Sequence, residues 1–247
     1  MREWIDPVGS DKHFWHRYEG VYRRWLGALG PVRRVVEFGV LDGASITWLR
    51  QLFPDAAITG VDIAPARPEW PTGPGIAYIR ADQGDRTALA ALPGEIDLAI
   101  EDGSHIPQHQ AATLAAVLPK LRAGGLYILE DLHSALPEHP LARAHCPPGT
   151  PTALSLLLAI ERARALGRAL TQAEARALAA PGFFGADEVA MLERCIDRVE
   201  LHRRASLPLR CWSCGSAALD PVALRCGCGT DLGLTGPDSL TAGIRVR

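Results

Sequence analysis

Carboxylates and imidazoles gather at the ends of two apolar runs. The run at 96–100 ends in Glu101 and Asp102, with His105 three residues on; the run at 126–129 ends in Glu130 and Asp131, with His133 two residues on. Parallel strands present their C-terminal ends on one rim, so Asp102, Glu130 and Asp131 are expected to converge. Three carboxylates at one point repel one another, and a hard divalent cation relieves this; an oxygen-only donor set suits Mg2+. The competing reading is one carboxyl held protonated, or carboxylates that only cap helices. An imidazole beside such a cluster can take the proton of a hydroxyl. His105 is the first candidate by position and His133 the second, although single histidines are also common structural residues. His109 is expected on an exposed helix face.

A second constellation is VVEFGVLDGAS at 35–45: an apolar run, a glycine turn and a helix start. Gly39 and Gly43 let backbone approach a ligand at a helix N-terminus. They are four residues apart, which is not the dinucleotide spacing, and no Gly-Lys-Ser/Thr follows. Glu37 beside the turn repels a pyrophosphate but suits a cationic sulfonium or an amino acid's ammonium. That favours S-adenosylmethionine (SAM) over NAD. Asp62, ending the next apolar run, can accept from two ribose hydroxyls. Asp82, after a third run, can accept from an adenine amine or can equally cap its own turn. Glu37, Gly39, Gly43, Ser45, Asp62, Asp82 and Asp102 form the expected cofactor set.

A third group is Cys211, Cys214, Cys226 and Cys228, in CWSCG and CGCG. The first pair has C-x-x-C spacing followed by glycine, and four thiolates make a closed tetrahedral Zn2+ site of structural type. Two disulfides or four free thiols are the alternatives. Clustering, and the absence of an apolar secretory segment in the opening twenty residues, argue for metal in a reducing, cytoplasmic setting. Cys146 and Cys195 lie outside the cluster.

The stretches VVEFGVLDGASITWL, GVDI, EDGSH and GGLYILEDLH together resemble class I SAM methyltransferases, and more narrowly the macrolide-sugar O-methyltransferases often labelled cephalosporin-hydroxylase-like. GSDKHFWHRY at 9–18 is similar to that family's opening motif. The resemblance is good over 9–135 and weak over 136–205; nothing in it corresponds to the chain beyond Pro208. It implies O-methyl transfer to a sugar or natural-product hydroxyl, with Mg2+ on Asp102, Glu130 and Asp131 and His105 as general base. It also implies an N-terminal segment that closes over cofactor and acceptor, which makes His16 and Tyr18 lid candidates beside ordinary aromatic packing. N- or C-methylation, a non-catalytic SAM-binding protein, and a non-haem iron hydroxylase using His105, His133 and Asp102 stay open as other readings.

These residues need a scaffold of alternating strands and helices. Strands are expected at 35–38, 58–63, 77–79, 96–100 and 126–129, with helices at 45–52, 87–92 and 108–121, the last stopped by Ala-Gly-Gly. Strands apolar on both faces imply a doubly wound, mostly parallel Rossmann-like α/β sheet covered on both sides. The stretch 137–151 reads as loop, 152–166 and 171–178 as helices of a lid or an outer layer, 189–193 as helical or extended, and 197–202 as a late antiparallel strand. The expected organisation is an N-terminal helical cap (1–30), a SAM-binding domain (31–207) with a helical lid at 136–185, and a cysteine-rich zinc-ribbon-like tail (208–247). The 247 residues are 47% hydrophobic and 22% charged, with a formal net charge of -2. That balance offers nothing to attract nucleic acid or an anionic membrane. The expected partner is a small-molecule acceptor; the oligomeric state is open, a homo-oligomer included.

Overall fold

In the computed structural model, described for residues 4–204, 206–233 and 240–247, one mixed sheet carries the chain. The elements run α1 Asp11–Phe14, α2 Glu19–Gly27, β1 Arg34–Phe38, α3 Ala44–Leu52, β2 Ala57–Asp62, β3 Ile76–Arg80, α4 Arg86–Ala90, β4 Ile96–Glu101, α5 Pro107–Val117 and β5 Leu121–Leu129. There follow α6 Pro140–His145, α7 Ala153–Ala165, α8 Gln172–Ala177, α9 Ala186–Cys195, β6 Ile196–Arg203, β7 Leu219–Asp220, β8 Arg225–Cys226 and β9 Leu240–Val246. The sheet order is β3-β2-β1-β4-β5-β9-β6, with β1 to β5 parallel and β9 antiparallel to both neighbours. This is the doubly wound, mostly parallel architecture expected from the strand pattern, and the one the resemblance implies.

Strand parity divides the core. Val36 and Phe38 of β1 and Tyr127 and Leu129 of β5 join the cluster under α5, α7 and α9. Val35, Leu98, Ile100, Leu126 and Ile128 join the opposite cluster with Tyr18, Tyr22 and Trp25 from the N-terminal segment and with Ile46 and Leu49 of α3. The segment 19–27 is thus one of the covering layers, not only a cap.

Four expectations need correction. The helix expected over 108–121 ends at Val117, because Pro119 lacks the N–H to continue it. Gly124, with φ 76°, bends the lead-in of β5 and does not cap the helix. The stretch read as loop contains α6, started by Pro140 at its first turn. Of the lid and outer-layer readings, α7 fits the outer layer: Ala153, Leu156, Leu157 and Ile160 are fully buried in the core. Finally, 208–247 is not one tail, since 240–246 returns as β9 between β5 and β6, with Ala242 and Ile244 fully buried. Parts of the expected cap (1–3) and tail (234–239) lie outside the described residues. Among the described residues, no helix is long and apolar enough to cross a membrane.

Candidate functional site

The C-terminal ends of β1, β2 and β4 open into a cleft of about 410 Å³ lined by Gly39, Ser45, Asp62, Asp82, Asp102 and His105, among others. Gly39 has φ 85°, and a Cβ there would stand 2.1 Å from the carbonyl oxygen of Asp102. Only glycine lets the ends of β1 and β4 meet this closely. Gly43 differs from expectation. It caps α3 with φ 81° and its missing Cβ makes room for Pro71, so its role is in the fold and it does not line the cleft. Asp62 accepts from the backbone N–H groups of Val40 (2.9 Å) and Ala64 (2.8 Å), which fixes its carboxylate at the cleft wall. Asp82 lines the cleft, is exposed and accepts from Gly84 N–H at 2.7 Å, which is the turn-capping role.

Glu37 is fully buried, and the Ser45 hydroxyl donates to its Oε1. Burial pushes its pKa up to about 7, against the nearby Lys12 ammonium and the Ser45 bond. Lys12, only 1% exposed, is the residue around which the carboxylates are arranged. Its Nζ donates to Asp102 Oδ2 and lies 3.1 Å from Glu130 Oε1 and 3.7 Å from Glu37 Oε1. Burial disfavours its charge, but Asp102, Glu130 and Glu37 outweigh burial and hold the ammonium protonated.

The expected trio of carboxylates does reach one rim, but on two sides of it. Single donor atoms of Asp102, His105 and Asp131 lie within 4.8 Å of one another. Glu130 instead continues the Leu126–Ile128 face of β5 toward α2, where the Tyr22 hydroxyl donates to its Oε1 beside Lys12. Burial, then the charge of Asp102, raises its pKa well above the carboxylate range despite Lys12 and Tyr22. Among the described residues, Glu37 Oε2, Glu130 Oε2, His105 Nδ1 and Tyr18 Oη are buried here without a hydrogen-bond partner. Orphaned atoms of this kind in a carboxylate-rich cleft fit a site built for a cation and a polar ligand.

Three imidazoles surround Asp131. His105 Nε2 is 3.5 Å from Oδ2; His133 Nδ1 is 3.8 Å and His16 Nδ1 is 4.0 Å from Oδ1. His105 and Asp131 both have left-handed backbones, φ 56° and 52°, an uncommon strain for non-glycine residues that tends to mark functional sites. Burial depresses His133 to about 4, with His139 and His105 adding to the effect, and burial depresses His16 to about 3. His16 stacks on Tyr18 at 4.9 Å. Tyr18 is completely buried, a core residue under the strap at 9–16 with its hydroxyl near the carboxylates and not a mobile lid residue.

Sequence reasoning missed Lys12, Tyr22 and Gln83. Gln83 donates to Glu101 Oε1 (2.6 Å) and accepts from Ser104 N–H (2.7 Å), pinning the loop that carries His105. His109, expected on an open helix face, is half-buried, lines the cleft and pairs with Ser104 Oγ at 2.9 Å.

The four clustered cysteines also converge: Cys211 Sγ is 3.6 Å from Cys228 Sγ, Cys214 Sγ is 3.5 Å from Cys226 Sγ, and all four sulfurs lie within 4.8 Å of one another.

Residues 36–132 match the Methyltransf_24 family, a methyltransferase domain. The 8-demethyl-8-alpha-L-rhamnosyl tetracenomycin-C 2'-O-methyltransferase of Streptomyces olivaceus is 34% identical over 141 residues, covering 51% of this chain and 36% of the relative. The L-olivosyl-oleandolide 3-O-methyltransferase of Streptomyces antibioticus is 31% identical over 153 residues, covering 58% of this chain and 39% of the relative. The chain therefore spans well under half the length of these relatives. Among solved structures, the MycE methyltransferase of the mycinamycin biosynthetic pathway, in complex with Mg and SAH, aligns with TM-score 0.55 and 27% identity, covering 74% of this chain and 45% of that one. The same enzyme with Mg, SAH and mycinamycin VI aligns with TM-score 0.57 at 22% identity, covering 93% and 49%.

Proposed function

We propose, with residues 36–132 as a methyltransferase domain, that this protein is a Mg2+-assisted SAM-dependent O-methyltransferase acting on a hydroxyl of a sugar or other natural-product small molecule. The observation that carries this reading is the grouping of Asp102, His105 and Asp131 at the mouth of the Gly39–Asp62 cleft. Relatives named for methylating rhamnosyl and olivosyl groups support the sugar class.

Glu37, Gly39, Ser45, Asp62, Asp82 and Asp102 are the residues assigned to SAM, and Asp102, Glu130 and Asp131 those assigned to Mg2+. When bound, SAM supplies the activated methyl group and Mg2+ a Lewis acid for the acceptor oxygen. His105 Nε2, facing Asp131, takes the hydroxyl proton; Asp131 then stabilises the imidazolium. Gln83 holds the His105 loop in place, and the strap bearing Lys12 and His16 covers the cluster and excludes water. His133, depressed by burial, backs this arrangement as the second candidate base. The reduced cysteines fit a cytoplasmic setting.

An iron hydroxylase wants two imidazoles and one carboxylate. Among the described residues, Asp102 and His105 converge with Asp131 and not with His133, so the set that reading needs is not assembled, which disfavours it. A hard Mg2+ ion held by carboxylates favours a hydroxyl oxygen over an amine nitrogen, which makes N-methylation the weaker reading. The test is SAM turnover against a panel of hydroxylated glycosides with and without Mg2+. SAM binding without transfer to any hydroxyl would return the protein to the non-catalytic reading.

A further inference from the structure

The cysteine module and the strap over the site are joined, and we propose that Cys211, Cys214, Cys226 and Cys228 bind one structural Zn2+ whose task is to clamp residues 9–16 over the cleft.

The sulfur geometry comes first. A tetrahedron of thiolates around Zn2+ at about 2.3 Å has edges of about 3.8 Å. The 3.5 and 3.6 Å separations match such edges and are far too long for sulfur–sulfur bonds of about 2.05 Å. The cysteine pairs sit on two related turns, the first one residue longer than the second. Gly215 N–H donates to Cys211 carbonyl (2.9 Å) and Cys211 N–H to Ser216 carbonyl (2.8 Å). Gly229 N–H donates to Cys226 carbonyl (2.8 Å) and Cys226 N–H to Thr230 carbonyl (2.8 Å). Gly215 (φ 72°) and Gly229 (φ 91°) supply the left-handed residue each turn needs. The β7–β8 hairpin between them pairs two residues with two, and a segment this small needs a metal to stay folded.

The docking comes second. Leu209 N–H donates to Phe14 carbonyl (2.7 Å), the Arg210 guanidinium lies 4.0 Å above the Phe14 ring, and the exposed Trp212 meets Trp15 edge-on at 6.5 Å. Arg204, 5% exposed, donates to Trp15 carbonyl (2.6 Å) and to Leu232 carbonyl, and so ties strap and module together. Lys12 and His16 flank these anchors on the strap, whose helix α1 is a single turn that cannot hold itself.

The experiment has three arms on the full chain. Elemental analysis of protein purified without chelator should find one Zn2+ per chain, and Cys214→Ser/Cys228→Ser, at the two exposed sulfurs, should lose it. Hydrogen exchange should then quicken at least tenfold at His13, Trp15 and Tyr18 while the β1 and β4 amides stay protected, which separates unclamping from unfolding. Trp212→Ala/Arg210→Ala should keep its zinc yet show the same local quickening. Zinc-free wild type, iron in place of zinc, or a zinc-free variant whose strap exchanges as slowly as wild type each overturns the proposal. These arms are independent of the enzymatic reading; weaker SAM binding in both variants is the added consequence if that reading holds.

Discussion

His105 Nε2 stands 3.5 Å from Asp131 Oδ2, and both residues hold left-handed backbones that bring a loop after β4 and a turn after β5 face to face. Asp131 thus orients the imidazole and can stabilise its protonated form. His105→Ala is expected to lower kcat by about 10²–10⁴-fold, the usual contribution of a positioned base. SAM affinity should hold, since the cofactor-side contacts of Asp62 and Gly39 are untouched. Single-turnover kinetics check this; an unchanged chemical step would move the base to His133.

Lys12 is the only cation given an ion pair with Glu37, Asp102 or Glu130 among the described residues. Lys12→Met leaves buried carboxylates uncompensated and should cost about 3–5 kcal/mol at neutral pH. The sign of its pH dependence follows. Without the ammonium the raised carboxyl pKa values of Glu37 and Glu130 rise further, so the variant recovers stability as pH falls and these groups protonate, and loses it as pH rises. Denaturant melts at pH 5 and pH 8 should show the smaller deficit at pH 5; equal deficits would deny Lys12 this role.

Much of this was legible in the residues. Five parallel strands, the acidic strand ends and His105 follow from apolar runs that stop at carboxylates, and the rim they share follows from parallel topology. Three features were hidden for physical reasons. Lys12 is 90 residues from Asp102 in sequence, and a buried lysine reads as a surface one until its partners are in place. Glu130 and Asp131 are adjacent in sequence just past the end of β5, and the left-handed backbone of Asp131 lets the two carboxylates go to different sides of the rim. β9 did carry a signal, the alternation of Leu240, Ala242, Ile244 and Val246, but it lies beyond a cysteine cluster whose composition suggested a separate unit.

Glu37 gives a pH signature to cofactor binding. Burial raises its carboxyl to about 7, above the unfolded value near 4.3, so its neutral form favours the fold: that contribution is full below about pH 4.3 and lost as pH rises through 7. A cationic ligand favours the ionised form, so SAM affinity should rise with pH, by up to about tenfold between pH 6 and 8. Calorimetry on Glu37→Gln should give a flat profile and weaker binding at pH 8. A slope that survives the substitution belongs to another group.

The metal prediction separates the two halves of the carboxylate cluster. Asp131 and Asp102 present carboxylate oxygens in the same converging group, beside His105, whereas Glu130 Oε1 is held by Tyr22 and Lys12 and only its orphaned Oε2 is open to a new partner. Asp131→Asn removes a charge from the ligating group and should raise the Mg2+ concentration for half-maximal activity by at least about tenfold, the loss expected for a charge-assisted contact of about 1.5–3 kcal/mol. Tyr22→Phe frees Glu130 Oε1 and leaves the group of three in place, so its Mg2+ requirement should move far less. Chelation of the wild type should abolish turnover, and Mg2+ alone, without added zinc, should restore it; that rescue distinguishes the cleft from the cysteine site. Full activity in excess chelator would remove the divalent ion from the reaction and leave Lys12 as the cation around which Asp102 and Glu130 are built.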